Sequence, residues 1–379
     1  MASPSTPSPD PIRAWLAAVM RGDGPGAMPP DEAGLLDTAR AEGVLTLCHD
    51  RLRRSAAWEQ YPATLREALT RHAYQAVAVE LMRAAELRDV LAALAQAGLP
   101  VLLLKGAALA YTLYPEPHLR ERCDTDLLLP SQEEAEHAWR VLQTLGYQRP
   151  NAASGDLACG QLGCYKTGSG GFTHALDIHW RLNNAILLVE RFTFAELAAA
   201  AISIPELGPH AWGLDLVYTL LLACIHRVAH QLWNTSTDRL IWLYDIHLLT
   251  QRLADEEWQQ WVVLAQKRGV SGSCLNSLRI AQLAFETVLP ANILSQLQAG
   301  ADRENWFNPD LASQWWRLEW LTFRVLPSTA ARLRWLGQRL FPDADFMRRQ
   351  YGFRHSLWLP WFYGVRIVQG VARRIRQGH

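Results

Sequence analysis

The stretch Leu102 to Pro130, "LLLKGAALAYTLYPEPHLRERCDTDLLLP", constrains the fold of this chain more than any other. Two apolar runs too short for helices bracket small, helix-forming residues and a proline-marked loop. The spacing predicts a strand, a helix from about Ala107 to Tyr114, a loop and a second strand. Residues two apart on a strand share a face, so Asp124 and Asp126 point together while Thr125, Leu127 and Leu129 point the other way, into the core. Read alone, the two aspartates also suit a solvated strand start. Aimed at one spot, however, two carboxylates repel each other unless a cation or hydrogen-bond donors lie between them, and a hard divalent cation such as Mg2+ is a common solution. Further on, "ALDIHW" sets Asp177 on another apolar strand, and three strand carboxylates allow a two-metal site. His179 shares the face of Asp177, where it suits either a hydrogen bond to a metal-ligating carboxylate or a satisfied, partly buried histidine.

Lys105, Gly106 and Ala107 supply the other half of the pattern. A strand that ends in glycine and enters a helix presents free backbone N–H groups, a ready site for phosphate oxygens. Lys105 is also one of three lysines among 37 basic residues, so its position at this turn is compositionally unexpected. A compact ammonium suits a point contact to a triphosphate.

Helix-period patterns dominate on either side. Residues 12–98 read as a helical region, 99–205 as a compact α/β core and 206–379 as a second helical region, giving an α+β chain behind a disordered tail at 1–11. Within the core, Ser131 is the expected N-cap of a helix reaching Leu145, and Thr167 to Gly171 is the expected glycine-rich turn of a hairpin. No internal repeat is present.

Six cysteines are scattered without CxxC or zinc spacing, so neither a disulfide framework nor a structural zinc site is indicated, and a reducing cytoplasm fits best. "MASPSTPSPDP" lacks the regions of a signal peptide, and no apolar run is long enough for stable membrane insertion. The formal net charge of zero hides an asymmetry: residues 311–379 hold twelve arginines against three acids, with six tryptophans. The expectation is that these tryptophans pack into the core and that the arginines offset acids elsewhere; a phosphate-bearing partner is the alternative. The final stretch, "SLWLPWFYGVRIVQGVARRIRQ", is expected as a helix docked on the core, with a membrane-surface helix as the alternative. His226, His230, Asp245 and His247, on apolar helices, are expected in structural hydrogen bonds, and Cys123 in packing.

"LLLKGAALAYTLYPEPHLRERCDTDLLL" followed by "LDIHWRL" resembles the bacterial uncharacterised nucleotidyltransferase family of the DNA polymerase β superfamily, and the likeness continues into "LLACIHRVAH", "RLIWLYDIHLL" and "LFPDADFMRRQYG". The resemblance implies a polymerase β-like core, a small mixed sheet with helices, embedded between the two helical regions. It implies that Asp124 and Asp126 ligate two Mg2+ ions (Mn2+ is the alternative), that Asp177 is the third carboxylate, and that Gly106 belongs to the nucleotide-binding turn. Arg120, more than Arg122, is expected to contact a phosphate or a carboxylate. The wider superfamily's turn is glycine followed by serine; here Lys105 precedes Gly106 and Ala107 follows, so Lys105 is the candidate to replace the serine's triphosphate contact. The implied activity is transfer of a nucleoside monophosphate from an NTP to an acceptor that is a small molecule, peptide or RNA. A toxin-like enzyme acting on tRNA and an inactive nucleotide-binding scaffold are the alternatives.

Overall fold

The computed structural model describes residues 10–23, 26–149, 160–168, 171–182, 188, 191–233, 238–304, 306, 315–326, 328–342, 344–353 and 355–377. Residues 1–9 of the expected tail and residues 169–170 of the expected hairpin turn lie outside these. The described chain is mixed α+β.

Four helices come first: α1 (Pro11–Arg21), α2 (Glu32–Glu42), α3 (Leu45–Arg53) and α4 (Ala63–Gln96). The last runs 34 residues without an internal glycine or proline, and Gly98 follows it in the left-handed conformation. Then come β1 (Leu102–Leu104), α5 (Lys105–Thr112), β2 (Thr125–Leu128), α6 (Gln132–Thr144), β3 (Gln161–Thr167) and β4 (Thr173–His179). Ser131 caps α6 by accepting from the Glu134 N–H, as its sequence position leads one to expect. After α7 (Phe194–Ala199) and a two-stranded ribbon, β5 (Ala201–Ser203) with β6 (Trp212–Leu214), the chain is helical: α8 (Leu216–Trp233), α9 (Leu240–Thr250), α10 (Asp255–Lys267), α11 (Ser271–Phe285), α12 (Ile293–Ala301), α13 (Trp315–Val325), α14 (Thr329–Leu340), α15 (Ala344–Tyr351) and α16 (Leu359–Gln377).

The main sheet has the order β1-β2-β4-β3, with β2 and β4 parallel and the outer pairs antiparallel. Both of its faces are covered, which is why β1 and the end of β2 read as continuous leucines rather than as an alternating pattern. Leu103, Leu127, Leu129, Leu176 and Ile178 pack on one side with Leu91 and Leu94 of α4 and with Ala138 and Leu142 of α6. Leu102, Leu104 and Leu128 face the other way, into a cluster that joins Leu16 and Leu45 of the first helices to Leu220, Ile241, Trp261 and Leu278 of the later ones. Asp126 lies between Leu104, its register partner, and Leu128. Its carboxylate therefore sits where the sheet meets those helices.

The C-terminal tryptophans depart from expectation. Trp335 is buried, but Trp316, Trp320, Trp358 and Trp361 are exposed. Short amphipathic helices pack on one another there, so an aromatic residue finds cover on one face only. No described helix is long and apolar enough to cross a membrane.

Candidate active site

Parallel pairing of β2 with β4 sets Asp126 beside Asp177 and Leu128 beside His179. One ligand atom from each of Asp126, Asp177 and His179 lies within 4.8 Å of the other two, the one such cluster among the described residues. His179 Nε2 is 2.8 Å from Asp126 Oδ1, the contact that a shared strand face makes accessible. Because Asp126 is ionised, this nitrogen carries the proton and donates it; Nδ1 is then left buried without a partner among the described residues. Lys105 Nζ reaches the same oxygen at 2.5 Å.

Those two neighbours decide the charge state of Asp126. Burial works to raise its pKa, but the Lys105 ammonium and the His179 hydrogen bond outweigh burial and hold the carboxyl well below the usual carboxylate range. Asp177 goes the opposite way: burial raises it, and Asp124 and Asp126 add to the rise against an opposing pull from His179. Its Oδ2 accepts from Gln161 Nε2 at 2.8 Å. Asp124, half-buried just ahead of β2, is raised by burial and then by Asp126. It stands outside the Asp126–Asp177–His179 cluster, although it interacts electrostatically with Asp126, Lys105 and His179.

The donor set fits a hard divalent cation. Asp126 Oδ2 and Asp177 Oδ1 make no hydrogen bond to a described residue, and both belong to carboxylates that face one another across adjacent strands. Gly163, the register partner of Asp177, leaves room for that side chain: a Cβ there would come within 3.3 Å of Asp177 Oδ1.

At the turn, the structure redistributes the roles expected of Lys105 and Gly106. Helix α5 begins at Lys105 rather than Ala107, and it is Lys105 (φ 52°) that takes the left-handed conformation. Such a backbone is uncommon outside glycine, and here it accompanies a side chain drawn to Asp126. Gly106 is buried against the loop, where a Cβ would meet Arg122 Cβ at 3.4 Å and Arg120 Nη1 at 3.5 Å. No side chain caps α5, so its first N–H groups have no capping partner.

Arg120, Glu121 and Arg122 are each anchored to a helix, which fixes the loop that delivers Asp124 and Asp126. Arg120 Nε and Nη2 grip Asp245 of α9 at 2.7–3.0 Å, and Tyr114 Oη donates to the same carboxylate at 2.7 Å. Arg122 Nη1 and Nη2 grip Glu80 of α4 at 2.8 and 2.9 Å, and Tyr111 Oη donates to Glu80 at 2.7 Å. Glu121 pairs with His72 Nε2 at 2.7 Å and accepts from the Thr46 N–H at 3.1 Å. The carboxylate partner of Arg120 is thus Asp245, and any nucleotide contact competes with that bidentate pair. Arg122 is buried because Glu80 neutralises it. Cys123, expected to be packed, is exposed between these anchors and Asp124.

Beside Lys105 opens a largely apolar cleft lined by Leu104, Ala108, Leu109, Leu222, His226 and Trp242 among others. His226 and His230, expected in hydrogen bonds, instead pack their rings on Trp242 at 5.4 and 4.8 Å. Asp245 and His247 do take structural hydrogen bonds, the latter with Thr287 Oγ1 at 2.9 Å.

Residues 29–286 match the family model described as uncharacterised nucleotidyltransferase. The chain belongs to this nucleotidyltransferase family. The match spans every residue of the cluster, the turn and the anchored loop, and it ends before "LFPDADFMRRQYG", which the sequence resemblance had included. No curated protein matches the chain. For a nucleotidyltransferase, the residues that sequence reasoning missed are Gln161, Gly163 and Glu80, together with Tyr111 and Tyr114. Gln161 and Gly163 become visible only with the β3–β4 register. Glu80 carries a local signal, an acid within the apolar and alanine-rich run "AYQAVAVELMRAA".

Proposed function

We propose that the protein transfers a nucleoside monophosphate from an NTP to a hydroxyl or similar acceptor, releasing pyrophosphate, with Mg2+ (or Mn2+) as cofactor. The observation that carries this reading is the residue-for-residue pairing of Asp126 and Asp177, each with an oxygen free, at the mouth of an uncapped helix that begins at Lys105. Asp126 and Asp177, with Asp124 beside them, would hold the cation. When bound, it would neutralise triphosphate charge and acidify the acceptor hydroxyl.

The protein's own groups divide the remaining work. The acceptor oxygen bonds to the α-phosphorus as the bond from that phosphorus to the bridging oxygen breaks, and pyrophosphate leaves with the electron pair. Asp177, whose raised pKa marks it as the stronger base of the pair, receives the acceptor's proton. Asp126 stays ionised and is held in orientation by His179. The Lys105 ammonium and the first N–H groups of α5 hold the β- and γ-phosphates. The apolar cleft beside Lys105 receives the base or the acceptor. In this reading residues 99–205 form a polymerase β-like core and the helical regions at 12–98 and 206–379 hold its loop, through Glu80 and His72 on one side and Asp245 on the other.

The test is incubation of the protein with each labelled NTP, Mg2+ and acceptor pools, with pyrophosphate measured and acceptors examined by mass spectrometry. Pyrophosphate matched by an acceptor heavier by one nucleotide supports the reading; NTP binding without either product sinks it in favour of a nucleotide-binding scaffold.

A further inference from the structure

Helix α16 has two apolar faces, and the protein covers one. On the covered face Phe362 stacks on Phe353 and Tyr351, with ring centroids 4.8 and 5.1 Å apart, Tyr363 Oη donates to the Pro342 carbonyl at 2.6 Å, and Arg366 lies over Phe346 at 5.2 Å. The helix therefore docks on the segment just before it rather than on the main core. On the other side Trp361, Gly364, Val368 and Ala372 are all exposed, and spacings of three, four and four residues align them on one flank of a helix. The preceding turn continues the stripe: Leu357 is 92% exposed and Trp358 55%, against 66% for Trp361 and 68% for Val368.

The charge in this stretch of sequence has one sign. After Asp345 no acid occurs, while Arg348, Arg349, Arg354, Arg366, Arg373, Arg374 and Arg376 follow. An aliphatic and tryptophan stripe on a helix closed by arginines has the composition that lies in the plane of a lipid interface: the apolar side chains enter the headgroup boundary, tryptophan rings sit at that depth, and guanidinium groups meet lipid phosphates. Nucleic acid is a poorer complement, because Leu357 and Val368 offer bases neither stacking nor hydrogen bonds.

We propose that α16 and the turn before it dock flat on an anionic lipid surface through Leu357, Trp358, Trp361 and Val368, with Arg373, Arg374 and Arg376 near the end of the helix supplying the attraction. The helix lies on the surface and does not cross it. This docking is independent of the nucleotidyl-transfer reading, since none of these residues belongs to the acid cluster or to the part of the chain that matches the family.

The experiment is co-sedimentation of the full chain with phosphatidylcholine vesicles, with and without phosphatidylglycerol. Wild-type protein sediments with the anionic vesicles, does so less at high salt, and is retained weakly by neutral ones. Arg373→Gln/Arg374→Gln/Arg376→Gln lowers the affinity for anionic vesicles by about a hundredfold, at roughly one tenfold step per removed charge or somewhat less. Trp361→Glu/Val368→Glu abolishes binding. Both replaced side chains in that variant are exposed, so its circular dichroism and melting stay as in the wild type. Wild-type protein that ignores anionic vesicles at low salt overturns the proposal, as does a Trp361→Glu/Val368→Glu variant that binds like wild type. A dimer in light scattering that this variant dissociates, without vesicle binding, assigns the face to a second copy of the chain and also overturns it.

Discussion

Asp126 and Asp177 stand side by side on parallel strands, yet Asp126 is bonded to a cationic side chain and Asp177 to a neutral amide. Lys105 and His179 overcome the effect of burial on Asp126 and keep it ionised, whereas burial, reinforced by Asp124 and Asp126, pushes Asp177 up. Two neighbouring carboxylates with opposite shifts can take different roles, one as a permanent charge and one as a proton acceptor.

The sign of each shift fixes its effect on stability. In Asp126 the folded pKa is depressed, so its stabilising contribution is complete above about pH 4 and is lost as pH falls below that, towards the folded value. For Asp177 the folded pKa is raised, so ionisation costs stability as pH rises from about 4 through the folded value. Asp177→Asn is therefore expected to melt higher than wild type at pH 7 without added metal, with the difference vanishing on acidification. Differential scanning calorimetry across pH reads this directly; a lower melting point at pH 7 would contradict it.

The loop anchors make a separate prediction. Arg122 and Glu80 are buried, so Glu80→Leu alone leaves an unpaired guanidinium and should cost about 3–5 kcal/mol. Glu80→Leu/Arg122→Met removes both charges and should recover most of that loss. Urea denaturation of the two variants tests the pair, and a double variant no more stable than the single one would count against it.

Lys105 links fold to ligand. Lys105→Met keeps the stem but removes the ammonium, and Mg-ATP affinity is expected to fall about tenfold or more, on the scale of a charged hydrogen bond. Lys105→Gly should lose affinity equally yet melt higher than Lys105→Met, since glycine adopts a φ of 52° freely. Titration calorimetry that finds unchanged affinity in Lys105→Met removes Lys105 from the phosphate site.

The strand, helix, loop and strand around Lys105 and Asp126 were legible in the sequence, because apolar periodicity and an i, i+2 acid pattern are local signals. The same local rule puts His179 on the face of Asp177, whereas its contact with Asp126 also needs the pairing of β2 with β4. What the sequence did not disclose depends on register and on long-range pairing. Gln161 meets Asp177 only once β3 is aligned on β4, and the partners of Arg120 and Arg122, Asp245 and Glu80, come from helices far away in the chain. The exposed tryptophans of α13 and α16 were misread for the related reason that composition does not say which face of a short helix finds a partner.

The central claim is that Asp126 and Asp177 perform one reaction with distinct roles, and the most direct measurement is pyrophosphate release beside Mg-NTP binding in three proteins: wild type, Asp126→Asn and Asp177→Asn. The account predicts release by wild type with at least one NTP and acceptor pool, loss of both binding and release in Asp126→Asn, and loss of release with binding retained in Asp177→Asn. Wild-type levels of release in either variant, or binding by wild type with no pyrophosphate from any NTP, would contradict it.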